Sequence, residues 1–118
     1  MVKLILTKPS FWKAFFDPTY PGHLKAKKEI LAIDRDKIVI TSSCVSEVLT
    51  YLNSKKKQHI ANWFSEYVLQ TQSVKIIYLD KKEFEEIMLL SIEKNLTYFD
   101  SESQYFAQKL SLDLTADY

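Results

Sequence analysis

Short apolar runs alternate along the chain with longer segments in which apolar positions recur every three or four residues. Residues 2–7 form the first run, with β-branched members and a length suited to a buried strand, and Lys8-Pro9 bounds it. Ser10 is a good N-cap for a short helix through Phe16, and Asp17-Pro18 with Pro21-Gly22 marks a turn before a second helix reaching about Asp34. Residues 37–41 (Lys-Ile-Val-Ile-Thr) predict a second strand. Ser42 or Ser43 then caps a helix whose apolar face is Val45, Val48, Leu49 and Leu52, with Glu47 beside it. A longer helix over 55–70 carries the stripe Ile60, Trp63, Phe64, Tyr67 and Val68. A third strand follows at 74–79, then a helix over 81–94 expected to bury Phe84, Ile87, Met88 and Leu90. Asp100 opens a last helix with Phe106, Ala107 and Leu110 inward, and residues 112–115 predict a fourth strand. Strands alternating with helices imply an α/β protein: a parallel sheet, right-handed crossovers and helices on both faces.

Composition narrows this further. At 118 residues the chain reads as one domain, 1–118, large enough to bury a core without disulfides or a structural metal. Hydrophobic residues make up 47% while there are only one Gly and three Pro, which favours packed regular structure over disorder. Cys44 has no second thiol and no His at zinc spacing, so it is assigned to the core. No apolar run approaches the ~20 residues of a membrane span, and the N-terminal residues lack the apolar region of a signal peptide; a cytoplasmic location is expected. With a net charge of +1, affinity for nucleic acid has to come from a local patch. Lys55-Lys56-Lys57 is more simply a solvated face, and the Trp63, Phe64, Tyr67 stripe a core or an interface between two copies.

Three acids fall where chemistry is expected. Glu47, Asp100 and Asp117 each sit just past a strand or on the helix entered there, the edge at which open α/β sheets bind ligands. Two ionised carboxylates about 5 Å apart repel by roughly 3 kcal/mol at an effective dielectric near 20, so a convergent trio calls for a counter-charge. Oxygen-only ligation suits Mg²⁺ or Mn²⁺ rather than zinc. Each acid also has an ordinary reading: Asp100 as a helix cap, Glu47 as an exposed helix residue, Asp117 as a solvated one.

The residues around these acids resemble a family. Thr41-Ser42-Ser43-Cys44-Val45-Ser46-Glu47-Val48-Leu49 is similar to the second acidic motif of PIN-domain nucleases, a Glu in the helix after strand two. Phe99-Asp100-Ser101 through Ala107 resembles the third, an Asp beginning a helix with a small residue seven positions on. Leu114-Thr115-Ala116-Asp117 resembles the fourth, a strand ending in Thr-x-Asp. With Phe11–Pro18 after strand one, the resemblance spans nearly the whole chain and is nearest to the VapC-type toxins.

The resemblance implies a three-layer α/β/α PIN-like domain with a parallel four-stranded sheet in the order 3-2-1-4, and a metal-dependent endoribonuclease. Asp100, Asp117 and Glu47 would hold Mg²⁺ or Mn²⁺, and Ser10 and Thr115 would support the carboxylates. It also implies RNA, a small antitoxin and a second copy of the chain as partners, with no membrane. One position departs. The family's first motif is an Asp ending strand one, followed by any residue and then Ser or Asn; here Lys8-Pro9-Ser10 stands there. An ammonium at that place can displace the cation and impair activity, or the site can be remodelled and bind metal weakly. The alternative is a non-catalytic module that binds RNA or an antitoxin peptide. The sequence stops one residue after Asp117, whereas the family usually continues through another helix or loop to a fifth strand, so either a four-stranded sheet is expected or the sequence is truncated.

Overall fold

The computed structural model describes residues 4–33, 37–70, 74–116 and 118. Its elements run β1 (Ile5–Leu6), α1 (Pro9–Phe16), α2 (His23–Ala32), β2 (Ile38–Thr41), α3 (Ser42–Ser54), α4 (Gln58–Gln70), β3 (Lys75–Ile77), α5 (Lys81–Lys94), α6 (Tyr98–Leu110) and β4 (Asp113–Leu114). The strands form a parallel sheet in the order β3-β2-β1-β4, as the resemblance implied. Ile5 lies opposite both Ile38 and Asp113, and Thr41 opposite Ile77.

All four residues of β2 are buried, and side-chain alternation sends them to two different cores. Ile38 and Ile40 join Phe11, Trp12, Val48, Leu52, Phe64 and Val68 beneath α1 to α4. Val39 joins Leu6, Ile87, Phe106 and Leu112 beneath α5 and α6. The result is helices on both faces of one sheet. Trp12 is fully buried in the larger core, and its indole N–H donates to Thr7 Oγ1 at 2.7 Å, whose own proton goes to the Val39 carbonyl at 2.8 Å. The polar edge of the ring is thereby satisfied in an apolar place.

Helix starts differ from the sequence expectation in a consistent way. Pro9 does not merely end the first strand; it opens α1 at a position where a missing N–H costs nothing, so Ser10 lies inside the helix and Lys8 takes the cap position. Thr41, not Ser42 or Ser43, caps α3 by accepting from the Cys44 N–H at 3.1 Å. Thr97, not Asp100, caps α6, and Asp100 sits in the first turn, where its charge suits the helix dipole. The long helix begins at Gln58 because Lys56 takes a left-handed turn conformation, φ 56°. On α5 only Ile87 is buried: Phe84 and Met88, expected inward, are exposed. Trp63 is likewise 61% exposed beside the buried Phe64.

Candidate functional site

At the C-terminal edge of the sheet, Lys8, Pro9, Ser10, Lys13, Glu47, Phe99 and Asp100 line a cavity of about 170 Å³. Three chain segments build it. The exit of β1 delivers Lys8, and its position is fixed from the far end of the chain: the Lys8 N–H donates to Thr115 Oγ1 at 3.2 Å, and the Thr115 N–H to the Leu6 carbonyl at 3.2 Å. Thr115 is buried, so it positions the backbone of Lys8 from beneath. α3 presents Glu47 one turn beyond its start, and α6 presents Asp100 in its first turn. The structure thus brings Lys8, Ser10, Glu47 and Asp100 to one place. Asp117 lies outside the described residues.

Two further residues belong to this edge. Lys13, one turn along α1 from Ser10, forms an ion pair with Glu47, Nζ to Oε1 2.9 Å. Its spacing of three from Ser10 is the one sequence signal that could have placed it here. Glu102, two residues after Asp100, is 3% exposed and accepts hydrogen bonds from the hydroxyls of Thr41 and Ser43. The Tyr98 hydroxyl is drawn to the same carboxylate, and burial together with that bond holds its pKa well above the ordinary tyrosine value. Burial, reinforced by the Glu102 charge, likewise pushes the Cys44 thiol well above its usual range. Cys44 is a core residue, as expected.

This architecture has solved counterparts. VapC20 of Mycobacterium tuberculosis, described as a Sarcin-Ricin loop cleaving toxin, superposes with a TM-score of 0.79 at 17% identity over 92% of this chain and 84% of that one. The protein PAE2754 of Pyrobaculum aerophilum superposes with a TM-score of 0.66 at 21% identity over 97% and 80%. The chain has the PIN fold. By sequence, no family model matches the chain and no curated protein matches it.

Within this PIN fold the donor set can be tested against a divalent ion. Among the described residues no three His, Cys, Asp or Glu side chains group as metal ligands. Two ammonium groups, Lys8 and Lys13, share the cavity with two carboxylates, so its formal charge is balanced without an ion, and one oxygen of Glu47 is already taken by Lys13. A hard dication needs several anionic or carbonyl oxygens and tolerates no cation in its first shell. The described donors of this site do not fit one. Among the described residues, no helix is long and apolar enough to cross a membrane.

Proposed function

We propose that this PIN-fold chain is a VapC-like toxin of a toxin–antitoxin pair whose metal-dependent endoribonuclease activity is impaired, leaving an RNA-binding site at the C-terminal edge of the sheet. The observation that carries this reading is the cavity in which Lys8 and Lys13 face Glu47 and Asp100. Relative to an Asp at the end of β1, Lys8 changes the local formal charge by two units and supplies in the chain what a bound cation would otherwise supply. Glu47, Asp100 and Asp117 are the acids proposed to hold Mg²⁺ or Mn²⁺ if the lysines are removed, with Ser10 and Thr115 in support. An ammonium also pairs with phosphate oxygens, so a site that has lost the ion keeps a means of holding an RNA backbone. That balance favours the binding-module reading over efficient cleavage. A small antitoxin, a second copy of the chain and a cytoplasmic setting belong to the same proposal.

Calorimetric titration with Mn²⁺ tests it. The native protein is expected to bind weakly or not at all, and Lys8→Asp to gain binding; equal, tight binding by both would sink the displaced-cation idea. In a ribonuclease assay with Mn²⁺, any cleavage belonging to this site is abolished by Asp100→Ala.

A further inference from the structure

We propose that a second cavity, beside the first, is a subsite for one unpaired nucleobase that presents an amino group. This rests on the RNA-binding reading above and adds what the site selects. The cavity encloses about 430 Å³ and is lined by Ser42, Ser43, Leu79, Asp80, Lys81, Phe84 and Tyr98, where α3, α5 and α6 begin. It adjoins the acidic and basic pocket directly. Tyr98 lines one while its chain neighbours Phe99 and Asp100 line the other, and on α3 Ser43 lies one turn before Glu47. A single strand held at Lys8 and Lys13 therefore passes this opening.

Its chemistry is set by Glu102. The one hydroxyl proton of Ser43 is committed to that buried carboxylate, as is the proton of Thr41. What is left on the Ser43 oxygen, which also neighbours Thr41 Oγ1 at 3.2 Å and the Tyr98 hydroxyl, is lone pairs. A ligand that fits must bring N–H donors to that wall and a flat apolar face to the other, where Leu79 and the partly exposed Phe84 lie, the Phe84 ring centroid 5.9 Å from that of Tyr98. Cytosine, adenine and guanine carry an exocyclic amino group with two N–H donors, whereas uracil offers a single N3–H flanked by two carbonyl oxygens that would face oxygen lone pairs. Unpaired bases stacked on aromatic rings and read on their edges are the usual object of sequence-selective RNA binding. Asp80 spends Oδ1 on the Glu83 N–H of its own helix at 2.7 Å, and its second carboxylate oxygen is a further acceptor for the same amino group. Lys81, with its side chain 91% exposed at the rim and held only by a long ion pair to Glu85 at 3.9 Å, can meet the adjoining phosphate without filling the cavity.

Fluorescence anisotropy with labelled oligocytidine and oligouridine, both unstructured, tests the subsite. The native protein is expected to bind oligocytidine roughly tenfold more tightly. Phe84→Ala should weaken oligocytidine binding roughly tenfold by removing the stacking wall. Ser43→Ala should lower the cytidine preference toward unity; Tyr98→Phe, which keeps the ring and removes a second hydroxyl bonded to Glu102, tests the same wall if Ser43→Ala misfolds. Equal binding of the two oligomers with no effect of Phe84→Ala would overturn the subsite and leave the RNA-binding reading standing. Failure of the native protein to bind either oligomer would overturn that reading, and the subsite with it.

Discussion

Asp17 takes a carboxylate into a fully enclosed position just past α1, and three residues make that tolerable. Thr19 donates to Oδ1 from its N–H at 2.9 Å and its hydroxyl at 2.7 Å, Tyr51 donates to Oδ2 at 2.6 Å, and Lys57 stands 3.8 Å away. Burial alone would raise the carboxyl pKa, but these bonds and the lysine charge outweigh it and hold it below the ordinary range. The same pairing, added to burial, pushes the Tyr51 hydroxyl up to about 12. A carboxyl lowered in the folded state stabilises fully above its unfolded pKa near ~3.9 and loses that contribution as pH falls through the folded value. Asp17→Asn should therefore cost about 2 kcal/mol at pH 7, by loss of charge-assisted bonds. Urea unfolding at pH 7 and pH 3 checks this: the deficit of the variant should shrink at the lower pH. None of this was legible locally, since Asp17 and Tyr51 are 34 positions apart. Glu102 was hidden for the same reason: its burial follows from Thr41, 61 positions away, and nothing in Ser-Glu-Ser announces it. Glu47 was legible because it stands on the helix that follows a strand, and Asp100 because it stands in the first turn of a helix inside a recognisable motif.

At the scale of the element, helix α5 shows what sequence patterns reveal and what they leave open. Its limits match the expectation because Asp80 and Glu83 form a reciprocal capping box at one end and Asn95 takes the left-handed conformation at the other. Its apolar face was also visible, but the expected partner was wrong. Ile87 alone turns into the core, while Met88, Leu89 and Ile92 form an outward stripe, Ile92 77% exposed, and Phe84 lines the cavity beside Tyr98. A 3.6-residue period identifies an apolar face without saying what covers it. For a chain proposed to pair with a second copy, this stripe is the natural seam. Charged residues of both signs flank it, and antiparallel pairing of two α5 helices would set the N-terminal lysines of one beside Glu93 of the other. Ile92→Glu is expected to convert a dimer to a monomer in sedimentation velocity; a native protein that is monomeric at high micromolar concentration would refute the seam.

The whole molecule is lopsided. Six aromatic rings, Phe11, Trp12, Phe15, Phe16, Phe64 and Tyr67, pack against one another on the α1–α4 side, whereas the opposite side buries a small group around Ile87 and Phe106. Hydrogen exchange should follow this division, with amides of α1, β2 and α3 protected longest and those of α5 exchanging orders of magnitude sooner. Equal protection of α5 and α3 in the native protein would contradict it. Topology was the most legible level of all. Alternating strands and helices fix parallel pairing and crossover hand, while the order 3-2-1-4 came from the resemblance and is what the sheet shows.

One bond carries a consequence for biosynthesis. The amide of Lys8 meets the hydroxyl of Thr115 across 107 positions of chain, and β1 has β4 as one of its two neighbours. During translation the growing polypeptide can lay down the aromatic side early, yet the middle strand waits with one flank bare until residue 115 has cleared the ribosome. At roughly 5–20 residues per second that wait lasts on the order of 5–20 s. Whatever this pocket does, a nascent chain cannot do it.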